Sequence, residues 1–492
     1  MVQGTSSSVG KSLLVTGLCR LFADAGVSIA PFKAQNMSNN AAVTDTGGEI
    51  GRAQWVQARA ARVRPRVEMN PVLLKPESDH RSQVILLGRP LATLGYRDYR
   101  DRREVTWPAI TGALDTLRAE HDLVIIEGAG SPAETNLRDR DVVNMSVALH
   151  AGAPVLLAGD IDRGGVFAHL YGTWALLAPE ERALVRGFIL NKFRGDASLL
   201  TPAIDDLQRL TGIPTAGIVP WFPRHEIPEE DAVALETRAS DGTEAWAGID
   251  VAVVRFPRIA NFDDLDPLTA ETDVRVRWVE SPAEWGDPDL VILPGTKSTI
   301  ADLDWVRGQG LDAPLKASVA RRAAVLGLCG GYQMLGASLA DPAHVEGPRE
   351  HADGLGLLPV TTTFAPGKRT VQSRATVTAD RGLLAGAQGL AVTGYEIHAG
   401  QTSGGAAVVT LPDGAAAGAA DEGGWVVGCY IHGLLHNTEF RRTLLTNVAG
   451  RRDRRYTPAP PRDDEAAFDR LAEALRASLD LGLLGELTGI TL

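Results

Sequence analysis

Residues 4–12 read Gly4-Thr5-Ser6-Ser7-Ser8-Val9-Gly10-Lys11-Ser12, and this stretch decides the fold of the first half of the chain. A glycine-rich turn running into Lys-Ser at the start of a helix is a phosphate cradle. Backbone N–H groups at a helix N-terminus bind phosphate oxygens, and glycine lets the backbone approach them closely. The common form has four residues between its glycines, whereas five intervene here. Lys11 is expected to reach the terminal phosphates and Ser12 to ligate Mg²⁺, with Thr5, Ser6, Val9 and Gly10 shaping the cradle. Only Met1-Val2-Gln3 precede the loop, so the first strand is short or the chain starts upstream of Met1.

Outward from the loop, short aliphatic runs alternate with helical stretches. LVIIEGAG (123–130), APVLLAGDID (153–162) and GFILNKFRGD (187–196) read as buried strands that end in polar loops. Helical patterns fill the gaps, as at 11–26 and 48–63. Such alternation predicts a doubly wound parallel sheet, an α/β fold with its ligands at the carboxyl ends of the strands. Glu127 and Asn191 fall at those ends, Glu127 as a candidate Mg²⁺ ligand and Asn191 as a candidate nucleotide contact. Glu49 in TGGEIGRAQ is a second candidate metal ligand or a helix-start carboxylate. Lys33 and Asn36 in PFKAQNMSNN, with Lys75 and Arg81 in MNPVLLKPESDHRSQV, are candidate contacts to a large polar substrate.

An acidic, small-residue stretch at 231–248 reads as a linker between residues 1–230 and a second α/β domain at 249–450. New strands are expected at 249–257, 274–280, 288–295 and 322–333. The last 42 residues, 451–492, read as a tail with an amphipathic helix at 462–481. In the second domain VLGLCGGYQMLG (325–336) carries the sharpest signal. An aliphatic strand ends in Cys329, two glycines follow, and a helix begins, which is a nucleophile elbow built on sulfur. The helix N-terminus favours thiolate, and the Gly330 N–H faces a developing oxyanion. Gly295 in PGTKST is the candidate second donor. A cysteine nucleophile needs a base; His432 in WVVGCYIHGLLHN, His398 in GYEIHAG and His436 are the candidates, and position alone does not choose among them. Cys19 and Cys429 lie in apolar surroundings and read as packing residues.

The bulk properties exclude several classes. The 492 residues carry a formal net charge of -12, which disfavours nucleic acid or an anionic membrane surface as partner. No apolar run suffices for a membrane span, and no signal-peptide pattern opens the chain. Three cysteines make no disulfide framework, so a reducing cytoplasm is expected.

Taken together, the motifs resemble a known family. The five-residue phosphate loop is similar to that of dethiobiotin synthetase-type amidoligases, and GLCGGYQ with YIHG is similar to class I glutamine amidotransferases. PFKAQNMSNN, GGEIGRAQ, MNPVLLKP, DIDRGGVFA, NKFRGD, PGTKST and GYEIHAG resemble the glutamine-hydrolysing cobyric acid synthase family of cobalamin biosynthesis. The resemblance implies ATP, Mg²⁺ and glutamine as cofactors and ammonia donor, with a phosphate-loop domain fused to an amidotransferase-like one. It implies Cys329 as nucleophile and His432 as its base. It also implies amidation of the b, d, e and g carboxylates of adenosylcobyrinic acid a,c-diamide. Many class I amidotransferases place Glu two residues beyond the histidine, where this chain has Leu434; Glu396 is the candidate to orient His432 instead. Cobyrinic acid a,c-diamide synthase shares both modules and is the nearest alternative. CTP synthetase-like and isoglutaminyl-type amidoligases stand further off. A partitioning-type ATPase switch has no use for the Cys329 elbow, and a pseudo-amidotransferase would keep the second domain as scaffold alone.

Overall fold

The computed structural model describes residues 1–78, 80–95, 103–222, 227 and 246–492. The expected linker at 231–248 lies, as far as residue 245, outside the described residues.

In the first domain β1 (Val2–Gly4) leads through the loop into α1 (Lys11–Asp24), then β2 (Ile29–Phe32) and the short helix α2 (Arg52–Ala60). The remaining main strands are β3 (Leu123–Ile126), β4 (Val155–Asp160), β5 (Val185–Phe193) and β6 (Thr215–Pro220). Parallel pairing runs β1-β4-β5-β6, β2 pairs in parallel with β3, and a parallel bridge from Val2 to Glu127 joins the two groups. The strands are apolar along their length because helices cover both faces of a parallel sheet. This topology places the β1–α1 loop and the ends of β3 and β5 side by side. The sequence did not single out a second, antiparallel sheet formed by residues 72–78, 81–86 and 89–95, with 35–37 alongside.

The second domain is built on β7 (Ile249–Val254), β8 (Val274–Val279), β9 (Leu290–Leu293) and β10 (Ala324–Leu328), followed by α3 (Gly330–Leu335) and β11 (Val426–Cys429). These five strands run parallel in the order β8-β7-β9-β10-β11, and short antiparallel strands extend the β11 edge. A long antiparallel hairpin of residues 360–377 and 391–404 belongs to a separate sheet and meets the first domain. There Tyr395 and Ile397 pack with Ala41, Val43, Leu73 and Ile85 in one buried apolar cluster.

The expected helical tail is two helices, α4 (Asp464–Ser478) and α5 (Leu481–Thr488), and they return to the first domain. Phe468, Leu471, Leu475 and Leu484 join the core that surrounds α1. Gly17 lets α4 approach closely, since a Cβ there would sit 2.4 Å from Leu475. Arg20, buried on α1, pairs with Glu465 at 2.8 Å and Asp469 at 2.6 Å.

Candidate active site

Gly10 closes the phosphate loop in a left-handed conformation, φ 95° and ψ 22°, which glycine adopts without strain. Lys11 folds back over the loop, its Nζ donating to Ser6 O at 3.0 Å and Gly130 O at 3.1 Å. Asn191 Nδ2 donates to Val9 O at 2.7 Å, and Lys192 Nζ reaches Ser8 O at 2.6 Å and Asp160 at 2.8 Å. Thr5 is fixed by its N–H to Ala158 O at 2.9 Å. Ser12 Oγ donates to Glu127 Oε1 at 2.8 Å, and the same oxygen accepts from Lys33 Nζ at 2.9 Å. Glu127 Oε2 accepts from Gln57 Nε2 at 2.5 Å, so this buried carboxylate is held from three sides.

Cys329 occupies φ 49° and ψ -107° between β10 and α3, a strained conformation for a residue with a Cβ. Such strain persists where the surroundings over-determine the backbone, as at a nucleophile elbow. The flanking glycines make that possible: a Cβ on Gly331 would lie 1.9 Å from Leu293 O, and one on Gly330 2.6 Å from Thr296. His432 lines the same cavity as the Cys329 thiol, whose Sγ donates to Ile397 O at 3.6 Å. His432 Nδ1 meets Asp264 Oδ2 at 2.7 Å, while Asp264 Oδ1 accepts from Gly433 N at 2.6 Å. Burial pushes the His432 imidazolium down, but the charges of Asp264 and Cys329 outweigh it and lift the ring to about 10. Tyr395 stacks on the ring at 5.3 Å. Gly295 faces it as well, since a Cβ there would lie 2.9 Å from His432 Cε1.

A cavity of about 350 Å³ opens over this set, lined by Cys329, His432, Gly295, Gln333, Glu346 and Lys297. Lys75 and Gln83 of the first domain complete its wall together with Lys368. Burial pushes Lys368 down to about 8 against the pull of Glu49. Burial likewise raises Glu346 to about 7, while it accepts from Thr299 N at 2.7 Å. Carboxylate and ammonium groups around one small cavity complement a zwitterionic amino acid.

Several expectations need correction. Glu49 is not beside Ser12: it pairs with Lys75 at 2.5 Å and Lys368 at 2.7 Å, and these two ammonium groups occupy both its oxygens. Glu396 does not orient His432. It is held by Ser373 at 2.6 Å, Arg369 at 3.1 Å and His398 at 3.1 Å, because residues two apart on a strand share a face. Asp264 takes the expected role of Glu396, and the sequence reading missed it. The four candidate substrate contacts are not brought together. Lys33 pairs with Glu127, Lys75 lines the Cys329 cavity, Asn36 donates internally to Gln54 at 3.0 Å, and Arg81 is exposed. His436 lies away from the thiol against Asp263 O at 3.1 Å. Cys19 and Cys429 are buried as expected; burial raises both thiols, Cys429 to about 12. No helix among the described residues is long and apolar enough to cross a membrane.

A phosphate-loop domain joined to a cysteine–histidine glutaminase domain defines a nucleotide-dependent, glutamine-hydrolysing amidoligase. Comparison with known families agrees: residues 1–233 match the CobQ/CobB/MinD/ParA nucleotide binding domain, and residues 250–440 the CobB/CobQ-like glutamine amidotransferase domain. The cobyric acid synthase of Sorangium cellulosum is 50% identical over 100% of this chain and 98% of its own. That of Dehalococcoides mccartyi is 48% identical over 98% and 97%, and that of Moorella thermoacetica 47% over 100% and 97%. Among solved structures, PurLQS from Thermotoga maritima is 15% identical at a TM-score of 0.32, over 41% of this chain and 98% of that one. The chain belongs to the cobyric acid synthase family.

Proposed function

We propose that the chain amidates the b, d, e and g carboxylates of adenosylcobyrinic acid a,c-diamide to give adenosylcobyric acid, using ATP and glutamine-derived ammonia. The observation that carries this reading is the Cys329–His432–Asp264 set, which faces a cavity walled partly by Lys75 and Gln83 of the nucleotide-binding domain. In this reading residues 1–230 activate the carboxylate and residues 249–450 release ammonia.

The Cys329 thiolate, paired with the His432 imidazolium, attacks the side-chain carbonyl carbon of glutamine. The C–S bond forms, and the carbonyl oxygen takes the electron pair beside the Gly330 and Gly295 N–H groups. His432 gives its proton to the departing ammonia, leaving a thioester, and then takes one from the water that displaces sulfur and frees glutamate. Asp264 keeps Nδ1 protonated throughout, so Nε2 is the nitrogen that exchanges protons with the reaction.

A carboxylate is a poor acyl donor, because amide formation would expel oxide. The acceptor carboxylate therefore attacks the γ-phosphorus of ATP, ADP departs, and ammonia displaces phosphate from the acyl phosphate. Lys11 and the loop N–H groups offset the charge on the transferring phosphoryl group. Ser12 and Glu127 fit Mg²⁺, since a hydroxyl and a carboxylate oxygen 2.8 Å apart are hard donors, and the ion would add further neutralisation there. Most free ammonia is protonated at neutral pH, so its passage runs through a sheltered route between the domains.

The test supplies purified protein with ATP, the a,c-diamide and either glutamine or ammonium. Cys329→Ala is expected to lose glutamine use and keep ammonium-dependent amidation. Normal amidation from glutamine by this variant would refute the nucleophile. An a,c-diamide left unamidated by the parent, while cobyrinic acid supplied in its place is amidated at the a and c positions, would refute the acceptor.

A further inference from the structure

Residues 261–264 bring Asp264 to His432, and three of the residues that fix this loop come from the other domain. Asn40 Oδ1 accepts from Phe262 N at 3.2 Å, and Asn261 Nδ2 donates to Ala41 O at 3.2 Å and to the Tyr395 hydroxyl at 3.0 Å. Arg52 Nη2 pairs with Asp263 Oδ2 at 3.0 Å. Arg52 and Asp263 are both buried, so removing either strands a charge away from water. Asn261 itself sits in the left-handed region at φ 53°, which asparagine adopts more readily than most residues, and its side chain ties that turn to Ala41. The loop is thus clamped into its shape by Asn40, Ala41 and Arg52, which all belong to the phosphate-loop domain.

Arg52 is the first residue of α2. Five residues on, Gln57 Nε2 donates to Glu127 Oε2 at 2.5 Å and to Ser12 O at 3.4 Å. At ~1.5 Å of rise per residue, the two side chains leave the helix about 7.5 Å apart along its axis. One nine-residue helix therefore touches the Asp264 loop at one end and the Glu127 carboxylate beside Ser12 further along.

We propose that Arg52 is a positioning residue for glutamine hydrolysis: through Asp263 it sets the 261–264 loop so that Asp264 orients His432. Helix α2 makes that setting depend on the docked nucleotide-binding domain, so glutamine is hydrolysed efficiently only beside the site that uses the ammonia. Arg52 does not line the cavity and does not act on glutamine directly. The inference rests on the reading of Cys329 and His432 as the hydrolytic pair.

The experiment follows full-length parent, Arg52→Met, Arg52→Lys and Cys329→Ala for glutamate release from glutamine and for ATP-dependent corrinoid amidation from ammonium chloride. Arg52→Met is expected to lower kcat for glutamate release by about 10- to 100-fold while KM and ammonium-dependent amidation stay within about threefold. Arg52→Lys keeps the charge and is expected to recover part of the loss. Should Arg52→Met fail to fold, Asn40→Ala removes the acceptor for Phe262 N–H and carries the same split at up to about tenfold. Equal losses from both nitrogen sources would mark a merely structural role, and unchanged glutamate release or a rise in KM alone would also overturn the proposal. Glutamate release by Cys329→Ala would overturn the underlying hydrolytic pair, and this inference with it.

Discussion

Replacing Asp264 by Asn separates the orienting role of this carboxylate from mere packing, because the change is nearly isosteric. Asp264 Oδ1 accepts from the Gly433 N–H at 2.6 Å, and that donor remains in the variant. The new amide must therefore turn its oxygen to Gly433 and its NH₂ toward His432 Nδ1, which now lies 2.7 Å from Oδ2. An NH₂ at that place needs an unprotonated Nδ1, so the ring proton moves to Nε2 and the imidazolium that faces Cys329 is lost. Losing a hydrogen bond to a charged group costs about 1.5–3 kcal/mol. At about 1.4 kcal/mol per tenfold in rate, that alone is roughly 10- to 100-fold. The wrong tautomer adds to this, with an upper bound of about 10⁴-fold set by the analogous change in serine proteases. The assay is steady-state glutamate release, with ammonium-dependent amidation as the control for folding. Glutamate release within about fivefold of the parent would refute the argument, since not even one charge-assisted hydrogen bond would then have been lost.

Three further outcomes follow from the same geometry. Lys11→Ala is expected to lower amidation at least about 100-fold from glutamine and from ammonium alike, because the phosphate site serves both; full activity with either would remove the loop from the mechanism. Because His432 is lifted from its ordinary value to about 10, glutamate release is expected to keep its high-pH limb near pH 10, and that limb should move down in Asp264→Asn. In stability terms the raised ring contributes fully below its unfolded value near 6.5 and loses that contribution as pH climbs through about 10, which urea titrations at several pH values can follow. Leu475→Ala, at a fully buried site packed on Gly17, is expected to cost about 2–5 kcal/mol, read as a lower urea midpoint at constant slope.

The phosphate loop and the Cys329 elbow were legible because their chemistry is written in contiguous residues: glycine, lysine and cysteine at fixed offsets. The strand–helix alternation placed both parallel sheets for the same local reason. Asp264 was not legible. The stretch Phe262-Asp263-Asp264-Leu265-Asp266 offers three carboxylates within four residues; Asp264 meets His432 only through a long-range contact, and Asp263 meets Arg52 only where the two domains touch. Glu49 misled in the opposite direction, since glycines around a carboxylate suit a metal loop, and its two lysine partners lie 26 and 319 residues away. The tail showed its amphipathic helix plainly, but amphipathicity names a face to be covered and says nothing of which surface covers it.

The return of α4 and α5 to α1 has a consequence for how the chain comes into being. Residues 464–488 leave the ribosome after the glutaminase domain, yet they complete the core around the helix that begins at the phosphate loop. Domains generally fold as units in the order of synthesis, N-terminal first. Here the earliest segment must wait, its Gly17 groove open, until the glutaminase domain has been made and has folded between the two parts of its partner. Nucleotide competence is then expected only once residues 464–488 have been made, and a chain terminated before them is expected to lack it even though every residue of the phosphate loop is present.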